Sequence, residues 1–281
     1  MKCAWSEFLQ LVPHRMRSQV DSIGKITLQE LRLRIGQVPE LVCKDRIYML
    51  TGIVNSADLQ YTINAASQYS PWAAATIAQG YLTGPGGHRI GICGTTVVKS
   101  GAITGFSFPT SICIRVARDF PGIAQSISPE GSVLIIGSPG SGKTTFLRDL
   151  IRNRSERGCG PVTVIDERCE LFPQVSGKTC FETGCRTDIL TGCSKEQGIP
   201  MALRTMGPSC IAVDEITAES DTQALLHAAW CGVDLFATAH AGSKNDLFSR
   251  PTYQPILAGK LFQTLLILKA DKSWTQERLG A

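Results

Sequence analysis

The sequence predicts an α/β protein in two parts. A smaller α+β domain covers residues 1–118, a linker covers 119–132, and a domain of alternating strands and helices covers 133–281. Three observations carry this division. From Val133 onward, apolar runs of strand length alternate with helical patterns, as in a parallel sheet flanked by helices. Before Arg118 the runs alternate apolar and polar residues with period two, as half-buried strands do. Between the two, "DFPGIAQSISPEGS" carries the Pro, Gly and Ser of a connection. At 281 residues the chain can bury two such cores.

In the first part, "LRLRI" (Leu31 to Ile35) reads as a half-buried strand, and "LVCKDRIYML" as a hairpin turning near Lys44 and Asp45. Ser56 to Gly80 is rich in Ala and Gln and ends at a glycine, so it reads as a helix interrupted at Pro71. "GPGGHRIGICGTTVVKSGAITG" follows as short β segments broken by glycine, and "SICIRVAR" (Ser111 to Arg118) as a closing strand.

In the second part the expected strands are 133–137, 162–166, 210–214, 234–239 and 261–268. A helix from Thr144 to Arg157 joins the first two, with Phe146, Leu147, Leu150 and Ile151 on one stripe and arginines 148, 152, 154 and 157 expected mostly outward. The segment after Asp214 reads as an amphipathic helix capped by Ser220 and Gln223.

The chemistry begins at the first of these strand-to-helix turns. Gly137, Ser138, Pro139, Gly140, Ser141, Gly142, Lys143 and Thr144, followed by Thr145, fit G-x-x-x-x-G-K-[ST] at every fixed position. Such a loop curls its backbone N–H groups around a β-phosphate at a helix N-terminus. Lys143 would then reach the β- and γ-phosphates of ATP, and the Thr144 hydroxyl would bind Mg²⁺. A second "SGKT" at 176–179 lacks both the leading strand and the first glycine.

"CIAVDEI" puts Asp214 and Glu215 at a strand end, Asp214 suited to hold Mg²⁺ and Glu215 to polarise an attacking water. Two more strand ends deliver Asp166, Glu167 and Arg168, and Thr238 and His240, to the crevice that parallel strands share with the phosphate loop. Arg204, ahead of the Asp214 strand, would bind a phosphate or pair with an acidic residue of this rim.

Composition excludes several classes. Hydrophobic residues at 43% and charged residues at 19% are an ordinary globular balance, so neither a disordered nor a collagen-like chain is indicated. The net charge of +4 neither demands nor excludes an anionic partner. No apolar run reaches the roughly 18 residues of a spanning helix, and the first residues lack a signal-peptide core. A cytosolic chain, able to dock on a membrane complex, is expected. The eleven cysteines contain no C-x-x-C pair, so they read as free thiols; a zinc site from Cys180, Cys185 and Cys193 is conceivable but disfavoured, because structural zinc sites favour closer ligand pairs.

With "GGHRIGICG", "ICIRVAR", "GSPGSGKTTFLRDLI", "VIDER", "TDILTGCSKEQGIPMALRTMGPSCIAVDEI" and "ATAHA" in one order, the chain resembles the stage III sporulation protein AA family. That family comprises ATPases of endospore-forming bacteria and is itself similar to the type II/IV secretion ATPases. The resemblance implies a RecA-like P-loop ATPase domain behind the α+β domain, and a homo-oligomeric ring, a hexamer, with ATP between subunits. It implies membrane-embedded sporulation channel proteins as partners and a position at the inner face of a membrane on the mother-cell side. "VIDER" would be an acidic box and "ATAHA" a histidine box, so Asp166, Glu167 and His240 would join Glu215 in catalysis. Arg89, Arg115 and Arg118 would contact phosphate within or across protomers. The glycines 84, 86, 87, 91 and 94 would form a tight loop approaching the nucleotide or the next subunit. Where secretion ATPases tend to have Gly-Glu, this chain has Asp214-Glu215, which leaves the division of labour between Glu215 and Glu167 open.

Two other functions compete. A nucleic-acid motor would want stacking aromatics along a basic groove; aromatics are 7%, and no such pattern is seen, so nucleic acid is not the expected partner. A small-molecule kinase would want a lid with paired arginines after Asp214, where the sequence offers a helix instead.

Overall fold

Contacts divide the chain into one unit of residues 1–119 with 173–180, and another of residues 120–172 with 181–281. The computed structural model describes residues 1–68, 73–127, 130–175 and 177–279.

The first unit opens with helices α1 (Trp5–Leu11) and α2 (Arg17–Ile23); Phe8, Leu11, Val12, Met16 and Val20 from this stretch are fully buried. Strands β1 (Leu28–Arg34), β2 (Glu40–Cys43) and β3 (Ile47–Met49) follow, with the expected turn at Lys44 and Asp45. Leu28, Leu31 and Leu33 all face the core although the first step is odd, because a bulge against β2 between Leu28 and Glu30 adds a residue. Helix α3 (Ser56–Ser67) starts with a reciprocal cap: Asn55 Oδ1 accepts from the Asp58 N–H at 3.1 Å, and Asp58 Oδ2 from the Asn55 N–H at 2.9 Å. The expected break at Pro71 lies outside the described residues, and α4 (Ala73–Ala78) follows.

Beyond β4 (Tyr81–Thr83) the structure departs from expectation. "HRIGICGTTVVKSGAITGFSFPTSICIR" forms one long hairpin, β5 (Arg89–Lys99) and β6 (Ala102–Arg115), not short segments. Its tip, Ser100 and Gly101, has positive φ at both residues, the conformation that matches strand twist. Gly91 and Gly94 therefore lie in a strand, outside the turn made by Gly84, Gly86 and Gly87. Gly94 sits at a register shift where a Cβ would stand 2.1 Å from the Phe108 carbonyl oxygen. The six strands form an antiparallel sheet in the order β3-β2-β1-β6-β5-β4.

His88 is buried where this turn meets α1. Its Nε2 lies 2.8 Å from the Ala4 carbonyl oxygen, and its Nδ1 accepts from the Ala117 N–H at 3.0 Å. A neutral ring with hydrogen on Nε2 satisfies both; a second proton would break the Ala117 bond. Burial accordingly pushes His88 below its ordinary value.

The second unit contains β7 (Val133–Gly137), α5 (Lys143–Glu156) and β8 (Val162–Asp166). After β8 a short hairpin, β9 (Gln174–Val175) and β10 (Lys178–Thr179), groups with the first unit; it carries the second "SGKT", whose Ser176 lies outside the described residues. The second unit resumes with β11 (Thr187–Thr191), α6 (Lys195–Thr205), β12 (Cys210–Ile216), α7 (Glu219–Trp230) and β13 (Asp234–Ala239). It ends with α8 (Lys244–Ser249), α9 (Gln254–Ala258), β14 (Thr264–Leu268) and β15 (Trp274–Arg278). The sheet order is β11-β8-β12-β13-β7-β14-β15, parallel throughout except β15. Neither edge strand was expected: β11 is only half-buried, and β15 is largely polar.

Leu134, Ile136, Ile165, Ile211 and Val213 pack on one face, and Val133, Ile135, Val164, Ala212 and Phe236 on the other, so both faces are covered. The expected linker is docked: Asp149 of α5 accepts from the Gly122 and Ala124 N–H groups at 3.0 and 2.8 Å. Three α5 arginines expected outward are buried. Arg148 donates to the Glu170 and Leu171 carbonyls, Arg152 pairs with Asp149 at 2.6 Å, and Arg154 with Asp234 at 2.7 Å. Their partners come from later in the chain or from within the helix, so a solvated face was the wrong reading of their spacing.

Two outcomes follow. Stability should fall as pH drops from about 6.5, the ordinary histidine value, toward 5, because the unfolded chain takes a proton on His88 that the folded one resists. Urea midpoints at pH 7 and 5 should show this slope, and His88→Gln should flatten it. Gly94→Ala should cost about 1–3 kcal/mol, since the added carbon meets backbone, read as a lower denaturant midpoint at constant m.

Candidate active site

The apolar run of β7 stops at Gly137, and the chain turns back through 138–142 into α5. Gly137 has no room for a side chain: a Cβ would lie 2.5 Å from Ser141 Oγ and 2.7 Å from the Leu268 carbonyl oxygen. Gly140 and Gly142 adopt φ of +74° and +104°, which other residues enter at a cost. Ser138, Pro139 and Gly140 are exposed, and Thr144 and Thr145 half-buried on the first turn of α5. No side chain caps α5, and Ser141 Oγ is buried without a hydrogen-bond partner among the described residues. A turn with spare donors at a helix N-terminus fits a phosphate group.

Lys143 is almost fully buried and folded back on its own loop. Its Nζ donates to the Gly137 and Ser138 carbonyls at 2.9 and 3.3 Å and lies 3.0 Å from His240 Nδ1. His240, just beyond β13, reaches Glu215 Oε1 with Nε2 at 2.7 Å. β12 and β13 are neighbours, with Glu215 opposite Thr238, so the sheet register itself sets this second contact. A protonated Lys143 makes Nδ1 the acceptor, which leaves Nε2 to donate to Glu215. Burial pushes the Lys143 ammonium down, and Glu215 pulls against that.

Beside this chain stands a second buried lysine that the sequence reading passed over. Lys195, the first residue of α6, is only 3% exposed in its side chain; Nζ lies 2.7 Å from Glu167 Oε2, 2.9 Å from Asp214 Oδ1 and 3.9 Å from Asp221 Oδ2. Burial alone would depress Lys195, but Asp214 and Glu167 hold it above its ordinary value. Burial pushes the Asp214 carboxyl up, with Lys195 pulling the other way. The available signal was an anomaly: "SKEQ" opens a helix with a cation, where the helix dipole favours an anion.

The remaining candidates divide. Asp166 is fully buried and accepts from the Glu170, Leu171 and Phe172 N–H groups at 2.9, 3.2 and 2.8 Å. Its oxygens shape the turn after β8. Arg204 is exposed on the last turn of α6, nine residues and so roughly 13 Å along the helix from Lys195. A helix between parallel strands runs back toward their N-terminal edge, and Arg204 stands at that far end of α6. Asp221, not Ser220 or Gln223, caps α7, accepting from the Thr217 and Ala218 N–H groups at 2.9 and 3.1 Å.

The three arginines of the first unit all have local partners. Arg89 lies over the Tyr81 ring at 4.6 Å, Arg115 Nε is 3.2 Å from Glu30 Oε1, and Arg118 donates to the Lys25 and Leu28 carbonyls. Arg118 thus holds the start of β1, while Arg115 remains largely exposed. Asp166→Ala should cost at least about 2 kcal/mol, because it strands buried N–H groups, and should show first as a lower denaturant midpoint.

Residues 6–278 match the family described as sporulation stage III, protein AA. The chain is 33% identical to stage III sporulation protein AA of Bacillus subtilis (strain 168) over 281 residues, 95% of this chain and 92% of the relative. Its fold is similar to the pilus retraction motor PilT with bound ADP, at a TM-score of 0.65 and 14% identity over 95% of this chain and 83% of that one. It is also similar to the Legionella pneumophila ATPase DotB, at a TM-score of 0.58 and 19% identity over 94% and 78%. Identities this low carry the fold alone. The match spans both units and nearly the full length of the bacterial relative: the chain belongs to the stage III sporulation protein AA family.

Proposed function

We propose that this protein is a Mg²⁺-dependent ATPase that works as a ring, a hexamer, and drives a secretion-like channel complex required for endospore formation. The observation that carries the reading is the connected chain from Lys143 through His240 to Glu215, which joins the glycine-rich loop to a carboxylate at a strand end. Thr144 and Asp214 would hold Mg²⁺, which would neutralise charge developing on the phosphates. The site offers few carboxylates free for a metal, which suits an ion that keeps its waters and binds mainly through phosphate.

In hydrolysis, Glu215 takes a proton from the attacking water as its oxygen bonds to the γ-phosphorus and the bond to the bridging oxygen breaks. Lys143 turns from its own carbonyls to the phosphates, which frees His240 Nδ1. His240 then senses the phosphate and holds Glu215 in place. Glu167 is tied to Lys195 at 2.7 Å; Glu215 is the main base in this reading. Arg204 and Arg115, exposed on their own protomer, are the arginines suited to reach a neighbour's nucleotide; Arg89 is the weaker candidate. No described helix is long and apolar enough to cross a membrane, so force would pass to membrane-embedded partners at the inner, mother-cell face.

ATP turnover measured across protein concentration, with particle mass in the same samples, tests this. Turnover per subunit should rise as rings form. Lys143→Ala should abolish it, and Glu215→Gln should lower kcat by about 10²–10⁴-fold while nucleotide still binds. Full activity in a monomer, or phosphate transfer to a small acceptor, would move the protein to the kinases; turnover that depends on DNA and collapses with salt would make it a nucleic-acid motor.

A further inference from the structure

We propose that Lys195 is a positioning residue of this site: a tethered cation that holds Asp214 beside Glu167 in the nucleotide-free protein and keeps a free divalent ion off Asp214. The inference rests on the reading of Asp214 as the magnesium carboxylate.

Three carboxylates converge on Lys195 Nζ from three elements: Glu167 after β8, Asp214 within β12 and Asp221 on α7. Asp214 and Asp221 are buried, so their like charges would repel with little help from solvent. One ammonium among them supplies the missing countercharge. Local sequence does not favour a cation here, since a helix N-terminus repels it. The fold nevertheless brings it in. Ser194 caps α6, accepting from the Gln197 N–H at 3.3 Å. Gly198 lets the helix approach β8 so closely that a Cβ would stand 2.8 Å from Ile165 Cγ2 and 2.9 Å from Cys193 Sγ.

The partners of Lys195 are not equivalent. Glu167 accepts a hydrogen bond at 2.7 Å, and Asp221 is engaged by the backbone that starts α7. Asp214 Oδ1 meets Nζ at 2.9 Å and has no further hydrogen-bond partner among the described residues. It is the contact that exchanges when a metal arrives. Asp214 can turn to a metal arriving with phosphates while Lys195 stays on Glu167. A hydrated Mg²⁺ arriving alone meets a carboxylate already neutralised, and it gives up water reluctantly.

Thermal unfolding of the full chain in Mg²⁺ alone, ADP alone and both together tests the inference without reference to turnover. The wild type should respond to Mg²⁺ with ADP and not to Mg²⁺ alone. Lys195→Met should melt lower and regain about 2–4 °C on adding Mg²⁺ alone, the shift expected for modest ligand stabilisation at this size. Lys195→Arg should match the wild type. A Lys195→Met protein as indifferent to Mg²⁺ as the wild type, or a wild type stabilised by Mg²⁺ alone, overturns the inference. If Lys195→Met does not fold, the double variant with Asp214→Asn should recover the fold; failure to recover it also overturns the inference. A wild type that does not respond to Mg²⁺ with ADP would instead sink the ATPase reading.

Discussion

Two lysine ammoniums are buried at the C-terminal edge of the parallel sheet, and most polar groups around them are arranged to satisfy them. Lys143 and Lys195 are 6% and 2% exposed. A cation withdrawn from water needs carbonyls, an imidazole or carboxylates in its place. Lys143 finds two loop carbonyls and His240; Lys195 finds Glu167 and Asp214. Remove either cation and groups from several strands lose the reason for their positions.

The sheet makes this convergence cheap. Its apolar strands are covered on both faces, and parallel pairing brings their C-terminal ends to one edge. Glu215 and His240 meet because their strands are adjacent and in register. Lys143 joins them because β7 lies on the other side of β13. The loops need only glycine where the backbone turns sharply and an anchor such as Asp166 where a turn must hold its shape.

Some features were readable because they depend on near neighbours in the chain. The glycine-rich loop from Gly137 to Thr144 is eight consecutive residues whose types follow from backbone conformation, and Gly137, Gly140 and Gly142 stand where the turn requires them. The hairpin at Lys44 and Asp45 and the inner strands of the parallel sheet are likewise local patterns. Edge strands β11 and β15 escaped because one half-buried face gives a weak apolar signal. The hairpin of β5 and β6 escaped because its glycines, read as breaks, are bulges and close contacts within continuous strands.

What the sequence by itself determined is the class of the second unit, the glycine-rich loop after its first strand and the set of acidic and histidine residues at strand ends. Those follow from periodicity of two or 3.6 residues and from motifs a few residues long. Only the tertiary structure decided which partners each polar residue finds. It gave Asp166 a turn to anchor, drew three α5 arginines inward, and set Lys195 among the carboxylates. The physical reason is that a buried charge is defined by its partners, and several of those partners, such as Glu167 and Asp214 for Lys195, stand well away along the chain.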